Sequence, residues 1–158
     1  MHELHDTTSG LEVARDIAAS PERVYAAISD VTRMGEWSLE CEACEWHEGL
    51  DGPVVGATFD GYNRNGALVW RTQGKVVEAE PGHAFVFECF AGAHDYATRG
   101  YRFEPTETGC RVTEWSEDLR PESALEMSKK ISGIDDGAEC KRDTMRLTLE
   151  RVAAAVEQ

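Results

Sequence analysis

Asp136-Gly-Ala-Glu-Cys-Lys-Arg-Asp-Thr-Met-Arg-Leu-Thr-Leu-Glu-Arg-Val-Ala-Ala-Ala-Val-Glu-Gln158 closes the chain, and its reading decides the fold. Met145, Leu149, Val152 and Val156 recur at helical spacing, while Lys141, Arg142, Glu150 and Arg151 mostly fall elsewhere around the axis. Residues 42–118 read instead as short strands separated by turns. A long helix with one apolar stripe must bury it, and a single curved antiparallel sheet is the partner this chain offers. A sheet wrapped around a helix leaves room for a cavity between them, and function is sought there.

Working outward, Leu11, Val13 and Ile17 mark one face of a first strand. Arg15 shares that face by period two, so it sits at an open end or pairs with an acid. Ser20-Pro21-Glu22 is a helix start: a hydroxyl for an orphan amide, a proline without the donor, and an acid at the positive helix end. Val24, Ala27, Ile28 and Val31 supply the apolar face, and residues 30–35 hold a break and a further helical turn ending at Trp37. Strands are expected at 43–47 and 57–64, the second closed by the tight-turn signal Asn65-Gly66. Leu68, Trp70, Thr72, Gly74 and Val76 share a face of the next strand, and Phe85, Phe87 and Cys89 a face of the one after. Two more strands follow at 96–103 and 111–117. Ala124, Met127 and Ile131 suggest a helical segment, which Gly133 and Gly137 weaken. The order is strand, two short helices, six strands, long helix. This is one α+β domain over residues 1–158, with a polar and flexible start at 1–9.

Acidic residues outnumber basic ones 30 to 16, for a formal charge of -14, which disfavours nucleic acid and anionic lipid as partners. No 18-residue apolar span occurs, and Met1-His-Glu-Leu-His-Asp6 lacks a basic region and an apolar core, so neither stable membrane insertion nor export is expected. Cys41, Cys44, Cys89, Cys110 and Cys140 are an odd set, which fits reduced thiols in a cytoplasm. Cys41-Glu-Ala-Cys44-Glu-Trp-His47 resembles half of a zinc site, but no later cluster supplies the other half, and the pair does not open a helix as redox pairs do. No metal and no cofactor is expected. Nucleotide loops, nucleophile elbows and metal-binding helices are absent, which leaves cofactor-free acid–base chemistry open.

Several stretches carry a family resemblance: Val13-Ala-Arg-Asp-Ile-Ala-Ala-Ser-Pro-Glu-Arg-Val-Tyr25, Ile28-Ser-Asp-Val-Thr-Arg-Met-Gly-Glu-Trp37, Gly74-Lys-Val-Val-Glu-Ala-Glu-Pro-Gly82, Tyr101-Arg-Phe-Glu-Pro-Thr-Glu-Thr-Gly-Cys-Arg-Val-Thr113 and Thr148-Leu-Glu-Arg151. In this order, over residues 11–157, the chain resembles the START-like (SRPBCC) superfamily in its polyketide cyclase/dehydrase branch. The resemblance implies a helix-grip fold, a seven-stranded antiparallel sheet curled around the C-terminal helix with two small helices closing one side. It also implies a deep pocket for lipids, sterols, polyketides or other apolar molecules, and a monomer or weak homodimer. The matching motifs are architectural, so no catalytic set carries over.

Trp37, Phe59, Trp70, Phe87, Tyr101 and Trp115 are candidates for the cavity wall, with ordinary core packing as the alternative for each. Trp115 alternates with Val112 and Glu114 on a strand whose faces are both mixed, and sequence does not choose its side. Asn63, Thr72, Cys89 and Glu114 are the polar groups set among them, and Met145 faces them from the terminal helix. An inward Glu114 would have a raised pKa unless Arg15 or another donor compensates, and ligand orientation, proton transfer and plain pairing all remain open for it. His47 and His94 flank strand ends, where an imidazole can reach a cavity mouth. The leading expectation is binding of a small apolar or amphipathic molecule. The alternatives are a cofactor-independent cyclase/dehydrase and a non-catalytic interaction module.

Overall fold

Seven strands form one antiparallel sheet in the order β1-β7-β6-β5-β4-β3-β2. They are β1 (Gly10–Ile17), β2 (Cys41–Trp46), β3 (Thr58–Asn65), β4 (Leu68–Glu80), β5 (Ala84–Ala91), β6 (His94–Thr106) and β7 (Gly109–Asp118). The computed structural model describes residues 10–39, 41–50, 52–91, 94–118 and 138–157. Strands 2 to 7 run as consecutive hairpins, and β1 closes the series by pairing with β7. Asn65-Gly66 makes the β3–β4 turn, where Gly66 has φ 63°, a left-handed conformation that favours glycine.

Helix α1 (Pro21–Ser29) starts as its sequence dictates: the Ser20 hydroxyl accepts from the Arg23 N–H at 3.2 Å and Pro21 occupies the first turn. Asp30 ends α1 and caps the next element, a 3-10 helix over Val31–Glu36, by accepting from the Thr32 N–H at 3.2 Å. One of the two expected short helices is thus a tighter 3-10 segment. Trp37 closes it, buried, with the Arg33 guanidinium 4.9 Å from its ring centroid.

The C-terminal helix α2 (Ala138–Val156) lies against β1, β7 and α1. Met145, Leu149, Val152 and Val156 are all buried, so the stripe read from the sequence is the packed face. The Glu157 carboxylate accepts from the Ala18 N–H at 2.9 Å, which ties the helix end to the end of β1. The face of the sheet turned toward the helices carries Leu11, Val13, Phe59, Val76, Phe85, Phe87, Phe103 and Val112, all buried. The opposite face carries exposed cross-strand ion pairs such as Arg102–Glu12 at 3.0 Å and Arg64–Glu42 at 2.7 Å. This is the helix-grip α+β fold. The helical segment expected around Ala124, Met127 and Ile131, and the start at 1–9, lie outside the described residues. Among the described residues, no helix is long and apolar enough to cross a membrane.

Candidate functional site

Strand alternation sorts the candidates by face. On β4, Trp70, Thr72, Gly74 and Val76 point inward as expected, and their partners on β3 are Asn63, Gly61 and Phe59 for the first three. The Phe59 ring lies over Gly74, in the space a Cβ there would occupy, so glycine is required for this packing. A chain of aromatic contacts follows: Trp46 to Phe59 and Phe59 to Phe87, each at 5.5 Å and edge-on, then Phe85, Tyr25 and Phe103. Phe59 and Phe87 are core residues of this stack. Trp37 packs beneath the 3-10 helix and Met145 within the α2 stripe, both buried in the same core.

The polar candidates form two neighbouring groups on the inner face. Asn63 donates to the Thr72 hydroxyl at 3.2 Å and, more weakly, to the Trp70 carbonyl at 3.4 Å. Asn63, Trp70, Thr72 and Cys89 are all half-buried, unlike the aromatic stack beside them. The second group is Tyr101 and Glu114, direct partners on β6 and β7. The Tyr101 hydroxyl donates to the Glu114 carboxylate, and burial with that negative charge pushes the tyrosine well above its ordinary range.

Glu114 is 5% exposed, and its Oε1 has no hydrogen-bond partner among the described residues. Burial raises its pKa from 4.5 to about 8, against the opposing influence of the Arg99 charge and the Tyr101 hydrogen bond. At neutral pH this carboxyl is therefore mostly a neutral acid. Arg99 is the donor whose charge acts on it; Arg15, the residue named from the sequence, is exposed and opposite Val112 in register. Arg99 was missed in the sequence although period two from Tyr101 and Phe103 places it on the same face. It is exposed there, so this part of the inner face is open to solvent.

Two expectations are corrected. Trp115 lies on the outer face, because Glu114 takes the inner position of β7; its indole covers Gly100, its register partner, where a Cβ would collide. His47 is also away from the inner face. It follows the inward Trp46 and is held between the Thr58 hydroxyl and the Asp60 carboxylate, the latter at 3.0 Å, and this hydrogen bond lowers the Asp60 pKa. The side chains of His94 and Asp95 lie outside the described residues. A separate open cleft of about 610 Å³ lies between α1, the loop after β2 and the β4–β5 turn, lined among others by Glu22, Tyr25, Trp46 and Pro81. None of the candidate ligand-contacting residues lines it.

A seven-stranded antiparallel sheet gripping a C-terminal helix, with polar groups set into the apolar inner face, defines a protein of the helix-grip class. The chain belongs to the polyketide cyclase / dehydrase and lipid transport family of the SRPBCC superfamily, whose model matches residues 9–157. Similar solved structures include the polyketide-cyclase-like protein Cgl2372 from Corynebacterium glutamicum, 32% identical, covering 94% of this chain and 89% of that one, TM-score 0.57. Protein CV1439 from Chromobacterium violaceum is 22% identical, covering 95% of this chain and 99% of that one, TM-score 0.70. The di-domain ARO/CYC StfQ of the steffimycin biosynthetic pathway is 17% identical, covering 96% of this chain and 51% of that one, TM-score 0.74. A comparison with curated proteins gave no match.

Proposed function

We propose that this protein binds a small apolar or amphipathic molecule in an internal cavity between the inner face of the sheet and the C-terminal helix. The observation that carries the reading is Glu114: a buried, largely protonated carboxyl, beside the Tyr101 hydroxyl, with an Oε1 that has no hydrogen-bond partner among the described residues. An unsatisfied buried polar atom costs about 1–3 kcal/mol, and a carbonyl or hydroxyl oxygen of a ligand would relieve it. Half-buried Trp70, Cys89, Asn63 and Thr72 continue the same surface and supply apolar contact with a few fixed polar groups, the usual composition of a small-molecule site. The ligand is therefore mostly hydrocarbon with at least one oxygen. The free thiols of Cys41, Cys44, Cys89 and Cys110 fit the expected cytoplasmic setting.

A second reading, cofactor-independent cyclisation or dehydration of a polyketide-like carbonyl compound, is favoured by the same carboxyl. An acid that holds its proton near neutral pH can deliver it to a carbonyl or a leaving hydroxyl, and StfQ, of similar fold, belongs to a biosynthetic pathway. Binding is tested by titrating an environment-sensitive apolar fluorophore into Thr72→Phe and Thr113→Phe. The first fills the inner face and the second adds the same bulk to the outer face. Affinity is expected to fall roughly tenfold or more only in Thr72→Phe. Equal affinity in both variants overturns the assignment.

A further inference from the structure

Cys41 and Cys44 are three apart on one strand, and in a regular strand residues at that spacing face opposite sides of the sheet. Here both are inside. The pairing of β2 with β3 shifts register between Cys41 and Ala43, and this bulge turns Cys41 inward beside Cys44. Their Sγ atoms are 3.1 Å apart, both residues are buried at 7% and 5% exposure, and neither is in a disulfide. A disulfide needs about 2.05 Å between the sulfurs, so closing the pair takes a movement of about 1 Å. Among the described residues no three His, Cys, Asp or Glu side chains converge as a metal site.

We propose that Cys41 and Cys44 are a reversible dithiol–disulfide couple in the wall of the inner face, oxidised by hydroperoxides and reduced by small dithiols. The two sulfurs are not equivalent. The hydrogen bond between the two sulfurs holds the Cys41 thiol below the ordinary range, with further help from the Arg99 charge, and the same hydrogen bond together with burial raises Cys44; the Cys41 thiol also lies 3.3 Å from the Ala43 carbonyl. The Cys41 thiolate attacks one peroxide oxygen, the O–O bond breaks, and the departing alkoxide or hydroxide takes up a proton, leaving a sulfenic acid. The Cys44 sulfur then displaces the sulfenic hydroxyl, and its proton leaves with that oxygen as water. In total, two thiols and one hydroperoxide give one disulfide, one alcohol or water, and one water. The sulfurs are oxidised and the peroxide is reduced.

The pair lies beside the polar residues of the inner face. Cys41 pairs in register with half-buried Asn63, and Cys44 Sγ lies 3.7 Å from where a Cβ on Gly61 would stand, beside the Thr72 hydroxyl. Closing the disulfide tightens the bulge next to Asn63 and Thr72, and it draws Cys44 from its 3.9 Å contact with the Met34 sulfur on the 3-10 helix.

The test uses the full chain, reduced, desalted and exposed to one equivalent of hydrogen peroxide, with remaining thiols capped. Intact mass should fall by about two units before capping. A Glu-specific protease, applied under denaturing conditions, cleaves after Glu42, so fragments bearing Cys41 and Cys44 stay joined only through their disulfide. That link should form roughly tenfold faster in the folded chain than in urea, because the fold holds the sulfurs in contact. A rate no faster than in urea, or preferential pairing of Cys41 with Cys89, overturns the proposal. In Cys44→Ser a 1,3-diketone should trap sulfenic acid on Cys41, whereas Cys41→Ser should leave Cys44 unmodified over the same time. The reverse pattern overturns the order of attack, and the wild-type rate comparison stands even where a variant does not fold.

Discussion

Replacing Glu114 by glutamine removes one ionisable proton from the inner face and keeps the shape. The folded carboxyl holds its proton to about pH 8, whereas the ordinary value is 4.5. Between those limits the folded state binds the proton more tightly than the unfolded chain, so this group's contribution is fully present below the lower limit and is lost as pH rises through the upper one. Each unit corresponds to about 1.4 kcal/mol, so the window gives a total of about 4–5 kcal/mol. Glu114→Gln has no such dependence. At about pH 5 the two proteins should unfold within about 1 kcal/mol of each other, and the variant should gain about 1.4 kcal/mol relative to wild type per pH unit above that, levelling off beyond about pH 8. Urea unfolding at several pH values measures this, and the titration of every other group cancels in the difference between the two proteins. A difference that stays constant with pH would mean Glu114 is ionised in the fold, with Arg99 and Tyr101 outweighing burial.

Five further substitutions probe the frame. Leu149→Asp puts a charge into the buried stripe of α2 and should cost several kcal/mol, about 3 or more, while Glu150→Ala on the exposed side should be nearly neutral; equal urea midpoints would misplace the helix. Gly74→Val drives side-chain atoms into the Phe59 ring and should cost about 1–3 kcal/mol, read as a lower thermal midpoint, with no change expected from Gly52→Val, which meets open space. Ser20→Ala removes the α1 cap and should cost about 1 kcal/mol in the same assay.

The terminal helix and the strands were legible because their signals are periodic: Met145 through Val156 at helical spacing, and Trp70 through Val76 alternating along β4. What the sequence hid was set by pairing between distant strands. Trp115 could not be assigned a face from β7 alone, since both its faces mix polar and apolar residues; its place over Gly100 depends on register with β6. The inward turn of Cys41 depends on a bulge, for which a single strand carries no signal. Arg99 went unnoticed because a cation on an inner face is a poor guess without knowing that Glu114 is buried across the ladder. His47 reads as a mouth residue only until its neighbours Thr58 and Asp60 are seen to hold it on the outer face.

The claim that the inner face holds a small, mostly apolar molecule with an oxygen function is tested most directly by native mass spectrometry of gently purified protein, read beside Glu114→Leu. The wild-type chain should carry an adduct that leaves on denaturation and whose mass fits a lipid-like or polyketide-like compound, and the variant should carry less of it. A wild-type spectrum showing only the bare chain, both as purified and after incubation with an extract of apolar metabolites, would contradict the account.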